Sequence, residues 1–494
     1  MKTLSISALD FNKEKGTVLA KVTLDANDFD CMDFVLQNQF NIKNEFHLTV
    51  VGFYEGKQIA ENESMRQKIG ELVNKYNKES SLECDTEGEV LFIEKEYKDE
   101  HRFSLITPCN SNSLDAIRKE IDDITGNKSV PYWHVTLATR DGGGKSHDGI
   151  AVPEKDSLLD MSPKLVYKNE LMTRILKFMV PTRIQPDTSA SIFLLQEYAE
   201  KIGYSLDKDF TVEINPKPQE SFWQSMSDGT MQLDCIGGLL DHHGSKEKTT
   251  LTELVKRFVH QKGNPSLEKI SAYTQRDDFH GKGTISTDML DKAFGLSGIL
   301  TAFNKVYPED PTYIVKSILP LYKAHYEEER KRNEHLPKLV KQLKEEGKIS
   351  EQKTKQRKKK IDIIFVESDE SSLPGYLRSS IGGRYDIVVQ RRATGHTNII
   401  TRPLKSIDIR SLVALVRKSE LLINKKSTDF SERYLSGEGI VKEVPQWYYD
   451  RATNTLQNGG LNEGGVIATS IPFAAFKNII EAGISEKYWN PLAR

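Results

Sequence analysis

Two short stretches of this chain carry the same pair of reactive side chains. Residues 45–52 read Glu-Phe-His-Leu-Thr-Val-Val-Gly, and residues 131–138 read Pro-Tyr-Trp-His-Val-Thr-Leu-Ala. Each sets a histidine two residues before a threonine inside an apolar, β-branched run, which predicts a strand. Side chains alternate between the faces of a strand, so His47 shares a face with Thr49, and His134 with Thr136. Two such strands side by side bring two imidazoles and two hydroxyls to one cleft. That set suits a phosphodiester: one imidazole takes a proton, the other gives one, and the hydroxyls donate to phosphate oxygens. Imidazole serves both purposes because its unperturbed pKa is about 6.5. Tyr132 and Arg140 fall on the same alternation as His134. Tyr132 is therefore the candidate to stack on a base and Arg140 the candidate to meet a phosphate, while Trp133 alternates away and is expected to pack.

A second set gathers near Asp241-His242-His243-Gly244, which follows an apolar run. Asp234 lies upstream of it, Asp187 sits at an earlier strand-to-helix turn, and Asp277, Asp278 and His280 follow downstream. Carboxylates and imidazoles at strand ends make good ligands for Mn²⁺ or another divalent ion. The candidate ligands are Asp187, Asp234, Asp241, His242, His243 and Asp278. A weaker signal is Arg391-Arg392-Ala-Thr-Gly-His396-Thr-Asn, where Arg392 and His396 either receive a phosphate or nucleotide end or belong to an exposed polar hairpin. Trp447-Tyr448-Tyr449 either stacks on bases or is core.

The paired His-x-Thr strands resemble the two-histidine (2H) phosphoesterase superfamily over residues 1–155. That resemblance implies a bilobal α+β fold with one motif per lobe and metal-independent opening of 2′,3′-cyclic phosphates or similar phosphodiesters. One histidine would activate water, the other would protonate the departing ribose oxygen, and Thr49 and Thr136 would hold the non-bridging oxygens. The Asp-His-His turn resembles the DHH phosphoesterases, and more closely their divergent relatives with a Gly-Gly-x-x-Asp-His-His-Gly turn, the nucleases of the melanocyte-proliferating-gene type. This second resemblance extends through the rest of the chain, where such proteins often carry a separate substrate-binding domain with a Gly-rich stretch. The family's first motif usually reads His-x-Asp-x-Asp, whereas here it is Gln185-Pro-Asp187-Thr-Ser189. A two-metal site would be short of ligands. Three readings follow: a single-metal or atypical site, a degenerate scaffold, or a turn that caps a helix.

The elements that must position these groups are readable from periodicity. Strands are expected at 16–24, 45–52, 88–95, 102–107 and 133–139, and helices at 63–78 and 113–125, the latter opening on Ser113 with Leu114, Ile117 and Ile121 on one stripe. A Gly-rich loop follows at 141–145, and residues 151–165 read as a domain boundary. Beyond it a strand at 175–180, a helix at 191–202, an apolar strand ending near Leu233 and a helix whose Thr250 and Glu253 have capping-box spacing predict a parallel α/β sheet. Residues 326–360 read as a charged connector, part of it an amphipathic helix through Leu336, Leu339, Val340 and Leu343, ending in Arg357-Lys-Lys-Lys360. That basic run is either a solvated linker or a phosphate-contacting patch. Strands at 361–366, 385–389 and 397–401, a helix at 409–422, a Gly-rich stretch at 458–465 and a last helix near 473–482 complete a C-terminal α/β region.

The expected class is multidomain, α/β and α+β: a bilobal 2H-like domain (1–155), a DHH-like parallel α/β domain (166–325), the connector (326–360) and a smaller, substrate-binding-like α/β domain (361–494). The 494 residues allow two to four cores. Lys and Arg total 69 against 71 Asp and Glu, so binding of nucleic acid would depend on local basic patches. Four cysteines without metal spacing suit reduced thiols. With no signal-peptide pattern and no membrane-length apolar run, a cytoplasmic phosphodiesterase acting on RNA ends or nucleotides is expected. Its first domain would need no cofactor, and its second would use a divalent metal. The alternative is an RNA- or nucleotide-binding protein with a degenerate DHH-like domain and at most one active site.

Overall fold

Alternating burial builds the two strands that matter most. In Phe46–Val51, Leu48 and Val50 are buried while His47 and Thr49 face outward; in His134–Asp141, Val135 and Leu137 are buried while His134 and Thr136 are half-exposed. The structure, a computed structural model, describes residues 2–79, 81–97, 100–128, 130–243, 248–281, 283–403, 407–459 and 464–485. The chain divides into two units, residues 1–326 and 327–494.

In chain order the strands of the amino-terminal part are β1 (Lys2–Asn12), β2 (Thr17–Val22), β3 (Asn41–Ile42), β4 (Phe46–Val51), β5 (Leu82–Thr86), β6 (Val90–Tyr97), β7 (Glu100–Pro108), β8 (His134–Asp141), β9 (Lys164–Tyr167) and β10 (Glu170–Met172). Among the described residues they form two antiparallel sheets, ordered β4-β2-β1-β5 and β10-β9-β6-β7-β8-β3. One core lies between them: Leu9, Val18 and Leu48 from the first sheet meet Phe92, Leu105 and Val135 from the second, along with Ile69, Leu114 and Ile117 from the helices Glu63–Glu79 and Asn112–Thr125. The second helix is capped by Ser111, not Ser113: the Ser111 hydroxyl accepts the Leu114 N–H at 3.2 Å, and Gly126 ends the helix at φ +76°. Arg118 on this helix is buried between Glu55 and Asp122 and donates to the Val50 carbonyl at 2.8 Å, tying the end of β4 to the helix.

The expected boundary at 151–165 is not a linker. Leu158, Leu159 and Met161 of the short helix Lys155–Met161 are buried, and β9 and β10 extend the six-stranded sheet as far as Met172. The sheet's other face, through Leu91, Ile93 and Ile106, shares a second core with the following α/β part. Residues 1–155 and 166–325 are therefore one unit with a common sheet, because each needs the other to cover an apolar face.

The α/β part contributes β11 (Arg174–Val180), β12 (Ser205–Ile214) and β13 (Thr230–Gln232), a parallel sheet ordered β12-β11-β13 among the described residues. The chain leaves β11 to one side for β12 and returns to the other for β13, which places a topological switch point at the carboxyl ends of β11 and β13. The helix Pro186–Tyr198 begins five residues before the expected position of Ser191, with Pro186 in its first turn, and is buried on nearly every side.

The C-terminal unit contains β14 (Ile349–Gln356), β15 (Lys359–Glu367), β16 (Ile387–Arg391), β17 (Thr397–Thr401), β18 (Gly439–Val441), β19 (Val444–Asp450) and β20 (Thr455–Gln457), ordered β14-β15-β16-β17-β20-β19-β18. Only β15 and β16 pair in parallel among these. The presumed connector is part of this unit. Leu336 and Leu343 of the helix Leu336–Glu345 are buried, β14 pairs with β15, and Arg357 and Lys358 form the turn between those two strands. No helix among the described residues is long and apolar enough to cross a membrane.

Candidate functional site

The two His-x-Thr strands meet. β4 is an edge of the first sheet, and β8, paired with β7 on one side, is bordered on the other by the two-residue β3, which leads directly into β4. The Lys43 N–H, between β3 and β4, donates to the Leu137 carbonyl at 2.9 Å and locks the crossing. The imidazoles come close enough for His47 to lower the pKa of His134. Burial is the larger cause for both rings: it pushes His134 down against the opposing Tyr132 carbonyl, and it pushes His47 down together with the Lys43 and Lys21 charges, against Glu45. His134 Nδ1 lies 2.9 Å from the Tyr132 carbonyl oxygen. A carbonyl only accepts, so Nδ1 carries the proton and Nε2 is left as the working nitrogen.

Lys43 and Lys21 have no signal in the sequence. Lys21 pairs with His47 across β2 and β4, a neighbour that strand register alone creates. Trp223 was equally invisible. Its indole N–H donates to the Tyr132 phenol, whose ring lies 6.2 Å from that of His134. Trp223 belongs to the helix Phe222–Met226, whose neighbours Ser221 and Gln224 donate to Glu89 at 2.6 Å and Glu87 at 2.9 Å. The α/β part thus holds the segment that presents His134.

Two expected substrate contacts are corrected. Tyr132 packs against the shared core with its hydroxyl engaged by Trp223, so its ring serves to support His134 and is not an open platform for a base. Arg140 fails for a different reason. Thr136 pairs with Ile106 but Ala138 pairs with Leu105, so Leu137 is a β-bulge and the alternation flips beyond it. Arg140 emerges on the opposite face, its guanidinium 4.4 Å from the Phe103 ring and 5.2 Å from that of Phe40. Trp133 packs as expected, its N–H donating to Asp115 at 2.8 Å.

The Asp-His-His turn lies at the switch point. Asp234 follows β13 with φ +61°, a left-handed conformation that aspartate tolerates better than most residues, and its N–H donates to the Leu240 carbonyl at 2.8 Å to close the loop. Ligand atoms of Asp234, His242 and His243 all lie within 4.8 Å of one another. His242 is held between two carboxylates, Nδ1 at 2.6 Å from Asp234 and Nε2 at 3.6 Å from Asp278. Burial opposes its protonation, but these carboxylates outweigh burial and raise its pKa. Burial raises Asp278.

Asp187 and Asp241 are spent otherwise. Asp187 accepts the Leu251 N–H at 2.8 Å and the Thr252 N–H at 2.9 Å, together with the Thr252 hydroxyl. Thr250 accepts the Glu253 N–H at 3.3 Å, so the two side chains between them cap the helix Leu251–Phe258. Burial lifts the Asp187 carboxyl to about 6 despite these donors. Asp241 accepts from the Gly237 N–H at 2.8 Å and from the His243 N–H at 3.0 Å. Burial opposes its ionisation, but these donors hold the carboxyl below its usual range. Both carboxylates shape the turn and its helix, and the donor set that remains fits one ion, not a pair. Gly244 lies outside the described residues.

In the C-terminal unit Arg392 begins the β16–β17 turn, its N–H donating to the His396 carbonyl at 2.9 Å. The His396 ring is buried, Nε2 donating to the Val466 carbonyl and Nδ1 accepting from the Thr394 hydroxyl, both at 2.9 Å. His396 is thus a turn-closing residue and is not presented to a substrate. Trp447 is core, with its N–H on buried Glu420 at 3.0 Å. Of the Gly-rich stretch, residues 460–463 lie outside the described residues. No family model, curated protein or solved structure matches the chain.

Proposed function

We propose that this protein is a phosphodiesterase that opens 2′,3′-cyclic phosphates on RNA ends or nucleotides in the cleft between β4 and β8. The observation that carries this reading is the convergence of His47 and His134, from segments far apart in the chain, with the Tyr132 carbonyl leaving Nε2 of His134 to the cleft. In the reaction one imidazole takes a proton from water as the water oxygen bonds to phosphorus. The bond from phosphorus to one ribose oxygen breaks, and the second imidazole protonates that oxygen, leaving a phosphate monoester and a free hydroxyl. Thr49 and Thr136, each on the face of its histidine, donate to the non-bridging oxygens. Lys43 and Lys21 supply positive charge where the phosphate enters.

A second reading concerns Asp234, His242 and His243, which would hold a single divalent ion with Asp278 beside it. Such an ion would act as a Lewis acid on a phosphate oxygen. The engagement of Asp187 by a helix N-terminus favours a one-ion or degenerate centre over a two-metal nuclease. The test is incubation of a 2′,3′-cyclic-phosphate oligonucleotide in EDTA and then in Mn²⁺. Opening in EDTA supports the histidine cleft, and shortening that needs Mn²⁺ supports the second site. Retention of the oligonucleotide without turnover in either condition replaces the proposal with the binding-protein alternative.

A further inference from the structure

We propose that the C-terminal unit binds the phosphate group of a mononucleotide-sized phosphate monoester between Arg378 and Arg402. This site lies at the end of the sheet away from the Gly-rich turn, since β17 runs from Thr397, beside His396, to Thr401, beside Arg402. It does not rest on the reading of the histidine cleft.

Arg378 ends the helix Leu373–Arg378. Its Nε donates to the Pro374 carbonyl at 3.1 Å and its Nη1 to the Thr401 carbonyl at 2.6 Å. No carboxylate is paired with it among the described residues, and burial alone lowers its pKa. Arg402 donates through Nη2 to buried Asp386 at 2.9 Å, but its Nε is buried without an acceptor. Asp386 also takes the Asp362 N–H at 3.0 Å, so one carboxylate serves both a strand amide and a guanidinium. Arg402 thus has a carboxylate on one of its nitrogens while Arg378 is held by backbone carbonyls, and an orphaned donor in a native structure calls for an acceptor.

A cavity of about 710 Å³, of the size that holds small ligands, is lined by both arginines together with Ile400, Ile407, Thr455 and Gln457. An adjoining cavity of about 580 Å³ is lined by the same two arginines with Ser379, Ser380 and Arg384. The acid on the larger wall, Asp450, is held by its own turn, accepting from the Ala452 N–H at 2.9 Å and the Thr453 hydroxyl at 2.8 Å. The two guanidiniums therefore stand where the cavities join. Their planar donors match phosphate oxygens. The larger cavity, with apolar Ile400 and Ile407 beside amide and hydroxyl groups, accommodates the rest of the ligand.

The test is titration calorimetry of the full chain at low salt, with AMP and with inorganic phosphate as probes. AMP is expected to bind saturably and to be displaced by phosphate. Arg402→Gln should weaken AMP binding by about tenfold or more, the loss of one charge-assisted contact. That variant also removes a cation from buried Asp386, so Gly375→Glu, which leaves that pair intact, is the companion. A Cβ at Gly375 meets nothing within 4 Å, so a glutamate there reaches into the smaller cavity and occupies the guanidiniums without disturbing the helix. Thermal melting checks that both variants are folded. Absence of saturable AMP binding, AMP that phosphate does not displace, or unchanged affinity in folded Gly375→Glu overturns the proposal.

Discussion

Histidines at two places in one unit meet opposite surroundings: His47 and His134 in the cleft, and His242 at the turn after β13. In the β4–β8 cleft, burial and nearby positive charge from Lys43 and Lys21 press His47 below its ordinary pKa, and burial with His47 presses His134 down. At the turn after β13, Asp234 and Asp278 overcome burial and raise His242. The first environment keeps imidazoles neutral and able to take protons; the second favours positive charge, whether a proton or an ion. The same residue type is prepared for different chemistry by what surrounds it. Under the proposed function this contrast corresponds to two independent sites, one indifferent to chelators and one not.

The strongest way to break this contrast is to remove each imidazole in turn. His47→Ala and His134→Ala should each lower cyclic-phosphate opening in EDTA by about 10²–10⁴-fold, the usual worth of a positioned acid or base, while His242→Ala leaves that rate unchanged. Product analysis by chromatography decides, and equal losses in all three would merge the two sites. Next in size, Asp187→Ala should destabilise the protein by about 1–3 kcal/mol, because the buried Leu251 and Thr252 N–H groups lose their acceptor. Bound Mn²⁺, measured by metal analysis, should fall in Asp234→Ala and persist in folded Asp187→Ala. Loss of metal only in the Asp187 variant would reverse the roles assigned to these two aspartates.

A finer test follows from the lowered pKa values. A base must be deprotonated and an acid protonated, so kcat/KM rises as the first loses its proton and falls as the second does. With both imidazoles depressed, the bell should be centred below about 6.5. A maximum on the alkaline side of neutrality would remove one histidine from the reaction. The smallest effect expected is that of Trp223→Phe, which keeps an aromatic ring but removes the N–H from Tyr132. It should cost a few-fold in kcat and shift the pH profile, with KM and Mn²⁺ binding little changed. An unaltered profile would reduce Trp223 to packing.

Much of the fold was legible because its signals are local. The strands at 46–51 and 134–141 and the helices at 63–79 and 112–125 follow from alternation and from one apolar stripe. Thr250 caps its helix as its spacing to Glu253 implied. The boundaries were less legible. The polar, Pro-containing segment at 151–165 looked like a linker because Leu158, Leu159 and Met161 are too few to give a period, yet they fill the seam between two parts of one unit. The basic run at 357–360 reads in sequence as a solvated linker or a phosphate-contacting patch, but it is a tight turn and the exposed start of the strand that follows, both of which tolerate lysines.

The chain's own residue order determined which groups are chemically able and which local alternation they obey: His47 with Thr49, His134 with Thr136, and the Asp-His-His turn after an apolar strand. Tertiary structure decided which of them meet. A bulge at Leu137 turned Arg140 away, a helix N-terminus took both oxygens of Asp187, and strand register set Lys21 opposite His47. The reason is that periodicity depends on neighbours a few residues apart, whereas bulges, caps and register depend on partners brought from far along the chain.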